Sequence, residues 1–340
     1  MKRDKFSTMI RGYRFIFITI ICFAWIQCSQ PDQYVTAPLK TTDGRFIGLG
    51  DPFVYQHEGT YYMTGTSVPD SGFNYYTSTD LITWEFRGAL FRPSENHYGK
   101  GYFWAPEVKF YRNKFYLTYS SRDEASGLLL PALAVSDNPD GPYRELFAPW
   151  FNTGQSAIDC HIFVDDNPEQ TPYLFFSQNG EEAGYSYGKN YVVELLPDLS
   201  GFVGNPVIVG EASQQWEKVD YGTNRCNEGV FAFKHAGEYH ITYSANHTSY
   251  SHYGVGTAKA VHPLGPWIKD MDNPILASND SLQISSPGHS CLITSPNGKE
   301  QYIVYHAHRD YNGPRPSDDR IVYMSRIYFN SNGELRVKLP

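Results

Sequence analysis

The sequence predicts an all-β fold, a five-bladed β-propeller, and three observations support this prediction. The first is a repeat of five short turn-plus-acid or turn-plus-histidine segments, each followed about ten residues later by an aromatic-rich strand. The segments advance by 54, 54, 69 and 60 residues, which is near the length of one four-stranded propeller blade. The second is the alternation of large with small or polar residues at the period of a strand, and the third is the lack of convincing amphipathic helices. The segments begin at Asp51, Ala105, Asp159, Glu228 and Gly288.

Each predicted blade contains the same elements in the same order. Between the opening segment and the strand that answers it lies a tight turn, such as Glu58-Gly59 or Ala236-Gly237, as a hairpin requires. A further strand follows in each unit, and the third unit, with Leu196–Gly201 at the corresponding place, matches least well. The answering strands are Tyr61–Met63, Phe115–Leu117, Tyr173–Phe175, Tyr239–Ile241 and Tyr302–Val304.

One ring of five blades, residues 45–340, uses almost the whole chain, so the sequence requires no second domain. A closed ring also removes unpaired strand edges, and the chain from Thr36 to Gly50 is a candidate to complete the last blade. We therefore interpret residues 29–44 as a linker that contributes to ring closure. Aromatic side chains that fill the wedges between blades explain much of the 16% aromatic content without any ligand.

Residues 1–28 are typical of an export signal. Five basic residues precede the apolar run Phe15–Ile26, which is too short for a confident membrane span. Cys28 ends this run and is followed by a polar segment, which predicts a bacterial lipoprotein with Cys28 as the lipidated first mature residue. A freely secreted form and a single N-terminal anchor helix are the alternatives. The expected location is the periplasm, the outer membrane or the cell surface.

The charge of the mature chain excludes several classes of partner. Without the signal it carries 23 basic and 35 acidic side chains, a formal charge of about −12. We therefore expect no nucleic-acid partner, and contact with a membrane only through the N-terminal lipid anchor. Three cysteines remain beyond Cys28, and either Cys160 and Cys226 form a bridge between neighbouring blades or Cys160, Cys226 and Cys291 are buried free thiols.

Three carboxyl groups are the candidates for chemistry. Asp51, Asp159 and Glu228 are predicted at equivalent positions of the repeat, so a closed ring brings them to one space around its axis. Like charges a few ångströms apart raise one another's pKa, so we expect one acid to stay protonated while another is ionised. Such a pair is suited to hydrolysis of a glycosidic bond. Taken singly each could be a turn or solvated acid, but recurrence at one register favours a shared function.

The segments that carry these residues resemble glycoside hydrolase family 43 over about residues 45–340. The resemblance implies a five-bladed β-propeller and hydrolysis with inversion at the anomeric carbon. It implies that Asp51 is the general base, that Glu228 is the general acid, and that Asp159 modulates the pKa of the acid and orients it. The resembling segments are Leu49–Tyr55, Trp104–Val108, Ile158–Asp159 with Phe163–Asp166, Asn227–Gly229, and Pro287–Ser290 with Val304–Ala307.

The resemblance also implies a metal and a substrate class. His289 corresponds to a histidine near a bound calcium ion or water in the axial channel, with a buried structural imidazole as the alternative. The chain departs from the family pattern at Val230 and at Cys160, whose thiol we expect to crowd the axis, and Glu107 is the substitute acid if Glu228 is misplaced. The implied substrates are terminal α-L-arabinofuranosyl or β-D-xylosyl groups of plant cell-wall poly- or oligosaccharides. A glycan-binding lipoprotein without catalysis is the alternative function.

Aromatic, polar and cationic side chains near the repeat starts are candidates for binding a sugar, because a sugar ring has an apolar face and many hydroxyl groups. Inter-blade packing or a solvated turn are the alternatives for the aromatic and loop residues. Arg309 and Arg320 flank the last long loop, and we expect one of the two to bind sugar hydroxyls, with Arg320 taken as the candidate. The predicted substrate-binding residues are Trp104, Phe53, Tyr221, His247 and Arg320.

Overall fold

The computed structural model describes residues 36–339. The export signal, Cys28 and the first part of the 29–44 linker lie outside these residues, so those predictions stay predictions. Within residues 36–339 no helix is long and apolar enough to cross a membrane. Helical structure in this part of the chain is limited to the short 3₁₀ segments Gln215–Lys218, Asp280–Leu282 and Ser317–Asp319.

Within residues 36–339, twenty-two strands form the five blades of a β-propeller, and the third and fourth blades are joined into one eight-stranded sheet. Two short strands, β1 (Ala37–Pro38) and β2 (Lys40–Thr41), precede the first blade. Blade 1 is β3 (Gly50–His57), β4 (Thr60–Thr66), β5 (Phe73–Ser78) and β6 (Thr83–Phe91). Blade 2 is β7 (Trp104–Tyr111), β8 (Lys114–Arg122), β9 (Leu129–Ser136) and β10 (Arg144–Phe147).

The remaining strands follow the same order. Blade 3 is β11 (Ser156–Val164), β12 (Pro172–Glu182), β13 (Tyr185–Leu195) and β14 (Phe202–Gly210). Blade 4 is β15 (Asn224–His235), β16 (Glu238–Ala245), β17 (Gly254–Ala260) and β18 (Ile268–Lys269). Blade 5 is β19 (Gly288–Thr294), β20 (Gln301–His308), β21 (Arg320–Phe329) and β22 (Leu335–Lys338).

Both ends of the described chain pair with the fifth blade. In the antiparallel pairing of β1 with β21, Ala37 lies opposite Met324. Strand β22 pairs with the other half of β21, where Val337 lies opposite Ile327. The outer edge of this blade is therefore covered by two separate segments, so that hydrogen-bonding groups of β21 that would otherwise be exposed are paired.

Blade 3 departs from the others in a way that explains its weak match to the repeat. Its central hairpin is long, because β12 and β13 have 11 residues each and stay paired out to Glu182 opposite Tyr185. Near its end, Ser186–Gly188 of β13 pairs in parallel with Asn224–Cys226 of β15. The third and fourth blades are therefore joined by main-chain hydrogen bonds as well as by side-chain packing.

Apolar clusters fill the wedges between neighbouring blades, as the alternating strands predict. The largest is built mainly from blades 1, 2 and 5, and it buries Trp84, Tyr61 and Phe73 almost completely. Cys160 belongs to the cluster between blades 2 and 3, so its thiol faces away from the axis, and the expectation that it crowds the axis was wrong. All three cysteines of the described chain are buried free thiols, so Cys160 and Cys226 are not bridged.

Candidate active site

The innermost strand of every blade carries a β-bulge at one register. At each bulge one residue adopts a positive φ, between 45° and 60°. A bulge turns side chains away from the regular alternation, and non-glycine residues in this conformation are strained and often mark functional sites. The five residues are Asp51, Ala105, Asp159, Gly229 and His289.

This register corrects one step of the sequence analysis. Glu228 lies one position before the residue that is equivalent to Asp51 and Asp159, which is Gly229. The counterpart of Glu228 in blade 2 is Trp104, which also precedes its bulge residue. The prediction of strict equivalence was wrong by one residue, because a bulge adds a residue that the repeat length alone cannot locate. Glu228 still faces the axial cavity.

A cavity of about 650 Å³ lies at this end of the axis. Asp51, Asp159 and Glu228 all line it, so the three predicted carboxyl groups share one space. Four further predicted residues, Trp104, His247, His289 and Arg320, line the same cavity. The size is within the range of pockets that bind small molecules.

Asp51 is held as a carboxylate by cationic and hydroxyl neighbours. Arg320 Nη1 donates to its Oδ1 at 2.7 Å, and the Thr66 hydroxyl donates to its Oδ2 at 2.6 Å. Burial alone would raise the pKa of Asp51, but the charges of Arg320 and His289 outweigh burial and hold it far below its ordinary value. Asp51 is therefore ionised throughout the neutral pH range.

A missing side chain makes room for the Arg320 contact. A Cβ atom at Gly50 would lie 2.1 Å from Cζ of Arg320, so only glycine allows the guanidinium group to cross the backbone there. On the other side, the backbone N–H of Asp51 donates to Nδ1 of His306 at 3.1 Å. Burial and the charge of Arg320 lower the pKa of His306, which keeps this ring neutral and able to accept.

The pKa of Asp159 is raised, whereas that of Asp51 is lowered. Burial of Asp159 raises its pKa, and with the added charges of Glu228 and Asp51 the pKa reaches about 7, although His289 opposes the shift. Its Oδ2 accepts a hydrogen bond from the backbone N–H of Gly229 at 3.0 Å, next to the candidate acid. The site therefore contains an ionised carboxylate, Asp51, and a carboxyl group, Asp159, that stays protonated up to about pH 7.

Two donors orient the carboxyl group of Glu228. The Tyr253 hydroxyl donates to Oε1 at 2.9 Å, and the Cys226 thiol donates to Oε2 at 3.3 Å. Burial and the proximity of Glu228 raise the pKa of Cys226 well above its ordinary value, so this group stays a thiol and a donor. The substitute acid is not needed, since Glu107 lies outside the cavity lining and is paired with Nδ1 of His161 at 2.6 Å.

Two predicted substrate-binding residues are elsewhere. Phe53 is the first residue after the bulge that again pairs with β4, opposite Thr64. Its side chain is buried, and the centroid of its ring lies 6.2 Å from that of Phe231. Tyr221 lies outside the cavity lining, and its ring covers the guanidinium group of Arg225 at 4.0 Å. The structure therefore does not bring these two residues to the cavity.

The residues around His289 do not fit a calcium site. Calcium takes six to eight oxygen ligands, whereas the nearest charged oxygens are those of Asp51 and Asp159, 3.4 and 3.9 Å from Nδ1 of His289. Burial lowers the pKa of His289, but the charges of Asp159 and Asp51 outweigh burial and raise it. Among residues 36–339 one group of three acids is close enough to share an ion, and Arg336 pairs with all of its members, Asp270, Asp272 and Glu334.

Sequence reasoning missed three residues that hold the carboxylates. His306 lies inside one of the resembling segments, Val304–Ala307, so a signal for it was present. Thr66 and Tyr253 carried no signal, because a hydroxyl at the end of a strand or in a loop is common. Thr66 also accepts the backbone N–H of Ala105 at 3.0 Å and so links blades 1 and 2 at the axis.

Comparisons with known proteins agree with this site. The model of the glycosyl hydrolases family 43 matches residues 48–335. A thermostable family-43 glycoside hydrolase of known structure is 41% identical, with a TM-score of 0.84, over 90% of this chain and 96% of its own.

Curated relatives are more distant. The beta-D-galactofuranosidase of Aspergillus niger is 28% identical over 90% of this chain and 88% of its own length. The alpha-L-arabinofuranosidase B of Pyricularia oryzae is 24% identical over 95% of this chain and 68% of its own length. The family match covers most of the described residues and includes all three carboxyl groups. The chain therefore belongs to the glycosyl hydrolases family 43, and it is a five-bladed β-propeller glycosidase.

Proposed function

We propose that this glycosidase works with inversion, with Asp51 as general base, Glu228 as general acid and Asp159 as the residue that tunes and orients the acid. The observation that carries the proposal is the division of protonation within one cavity. Asp51 is held ionised by Arg320, while Asp159 holds a proton to about pH 7 beside Glu228. Inverting hydrolysis requires an ionised base and a proton available to the acid, and Asp159 keeps its proton in the same cavity as Glu228.

The proposed step is a single displacement. Asp51 accepts a proton from a water molecule whose oxygen attacks the anomeric carbon. Glu228 donates its proton to the glycosidic oxygen as the bond to the anomeric carbon breaks. The products are a free sugar of inverted configuration and an alcohol, with Asp51 protonated and Glu228 ionised. Proton exchange with solvent restores both groups.

The proposed substrates are plant poly- or oligosaccharides that carry terminal α-L-arabinofuranosyl or β-D-xylosyl groups. The name of the Pyricularia relative supports the first, and that of the Aspergillus relative adds β-D-galactofuranosides to the compounds that should be tested. Trp104 lines the cavity and offers an aromatic face for a sugar ring. A panel of nitrophenyl glycosides, with arabinan, arabinoxylan and galactan, identifies the glycosyl group and the linkage together.

Substitution of the two carboxyl groups tests the assignment. Asp51→Asn and Glu228→Gln should each lower kcat by about 10²–10⁴-fold, because each removes one proton transfer while keeping the shape of the side chain. Glu228→Gln should impair an aryl glycoside less than a natural glycoside, since a good leaving group needs little protonation. Asp137→Asn is the matched control, because Asp137 is exposed and pairs with Lys114 away from the cavity.

The same experiment addresses the competing function. A glycan-binding propeller without catalysis would bind oligosaccharides but show no turnover in the unchanged protein. Unchanged rates in both substituted proteins, with unchanged thermal melting, would reject the assignment of Asp51 and Glu228.

We propose further that the protein is exported and anchored by lipid at Cys28. The apolar run that precedes Cys28 supports this location. Labelling with a palmitate analogue should mark the wild-type chain and not a Cys28→Ala variant. An unlabelled mature chain that begins elsewhere than at Cys28 would contradict the anchor.

A further inference from the structure

The amide oxygen atoms of two asparagines in the cavity wall have no hydrogen-bond partner. The Oδ1 atoms of Asn179 and Asn224 are both buried and unpaired, and Asn224 is only 8% exposed. Both residues line the cavity that holds the three carboxyl groups. A buried amide left without a partner destabilises the folded state, so native proteins rarely keep one without a reason. A ligand hydroxyl group would supply the missing donor.

The position of Asn224 relative to Glu228 indicates which part of a substrate it would contact. Asn224, Cys226 and Glu228 occupy alternate positions of β15, and all three line the cavity. Alternate residues of a strand project to one side, and each residue adds about 3.3 Å, so Asn224 lies about 13 Å from Glu228 along this wall. This distance leaves room for a sugar unit beyond the scissile bond.

The long hairpin of blade 3 forms the neighbouring part of the wall. Asn179 on β12 lies opposite Gly188 on β13, and Gly188 pairs in turn with Cys226 of β15. The two unpaired amides therefore lie on strands that belong to one continuous sheet.

A tyrosine on this hairpin has a fixed position. Tyr187 lies opposite Gly180, where a Cβ atom would come within 2.7 Å of the tyrosine hydroxyl. This hydroxyl donates to Oε1 of Gln155 at 3.0 Å. Tyr187 is one residue out of step with Ser186 and Gly188, which pair with Asn224 and Cys226, so its ring projects to the opposite face of the sheet and stabilises the hairpin behind the cavity wall.

We propose that Asn179 and Asn224 form part of the binding site for the sugar that leaves. Hydroxyl groups of a neutral sugar donate to the two amide oxygens. The site selects glycosides whose leaving group is another sugar. This inference rests on the proposed function, since Glu228 as the acid defines the side on which the leaving group lies.

Kinetics with a disaccharide test the site. The substrates are α-1,5-arabinobiose and β-1,4-xylobiose, and the variants are Asn179→Ala, Asn224→Ala and the control Asn138→Ala, which changes an exposed asparagine outside the cavity. We expect kcat/KM for the disaccharide that the wild type hydrolyses to fall about tenfold or more in the two cavity variants, as the loss of a buried hydrogen bond predicts. The inhibition constant of the released pentose, which occupies the other side of the scissile bond, should stay within about twofold.

A stability measurement separates binding from a structural role. Asn224→Leu removes the unpaired amide while keeping its approximate size, so its melting temperature should equal or exceed that of the wild type. Unchanged disaccharide kinetics in both cavity variants, or an equal loss of pentose affinity, would overturn the leaving-sugar site while leaving the proposed function intact. Absence of hydrolysis of both disaccharides and of aryl glycosides by the wild type would instead reject the proposed function, and this site with it.

Discussion

Arg320 donates a hydrogen bond to Asp51 at 2.7 Å across 269 residues of sequence. Arg320 is the first residue of β21 in blade 5, and Asp51 is the second residue of β3 in blade 1. The contact therefore exists only when the last blade lies beside the first. Closure of the ring therefore brings the charge of Arg320 to Asp51, and this charge keeps the candidate base ionised.

Removal of the guanidinium group should move the acid limb of the pH profile. The pKa of Asp51 is held low, so in the wild type this carboxylate does not limit kcat/KM above acidic pH. In Arg320→Ala the pKa of Asp51 should rise, because burial then acts with less opposition, and the acid limb should shift to higher pH. Arg309→Ala is the control, since Arg309 is mostly exposed and pairs with Asp319.

Gly50→Ala should reproduce the shift without touching either charged group. Its Cβ atom would collide with the guanidinium group at 2.1 Å and displace it from Asp51. A profile that keeps its acid limb in both Arg320→Ala and Gly50→Ala would show that Arg320 does not set the ionisation of Asp51.

Asp159 should make stability depend on pH. Its pKa is about 7 in the folded chain and near 3.8 in the unfolded chain, so the folded state binds the extra proton between these values. The stability that this proton contributes is complete below about pH 4 and is lost as the pH rises through 7. Asp159→Asn should therefore gain melting temperature relative to the wild type as the pH rises from 4 to 8. A difference that is constant with pH would contradict the raised pKa of Asp159.

The sequence repeat alone was enough to predict much of the fold and part of the candidate site. Turns and alternating strands are local, so the five blades could be predicted from spacing. The spacing of the repeats does not show where a bulge adds a residue. For this reason Glu228 was predicted at the position that Gly229 occupies, and Phe53 was expected in the cavity. Contacts such as Tyr253 with Glu228 and His306 with Asp51 depend on which strands and loops of different blades meet at the axis, and no local pattern of a single sequence encodes these contacts.

Trp104 and Phe53 should respond differently to truncation. Trp104 lines the cavity, so Trp104→Ala should lower kcat/KM about tenfold or more while leaving most of the stability. Phe53 is buried between blades, so Phe53→Ala should reduce the free energy of unfolding by about 3–5 kcal/mol. Chemical denaturation and steady-state kinetics on both variants check this. A Phe53→Ala protein of full stability and weakened substrate binding would restore the original assignment.

Removal of calcium should leave the activity unchanged. Calcium takes six to eight oxygen ligands, whereas the carboxylates near Nδ1 of His289 come from two residues, Asp51 and Asp159. Dialysis against EDTA, followed by addition of calcium, should change kcat by less than about twofold. Loss of activity on chelation with recovery on calcium alone would show that calcium binds near the axis in spite of this arrangement.

The central claim is that Asp51 activates water while Glu228 protonates the leaving oxygen. The most direct test is ¹H NMR of the anomeric proton of the first sugar released, recorded before mutarotation. A β-anomer released from an α-L-arabinofuranoside, or an α-anomer from a β-D-xyloside, is the predicted result. A product that first appears with the configuration of the substrate would contradict the account, because it would require a covalent intermediate that an Asp51 acting only as a base does not form.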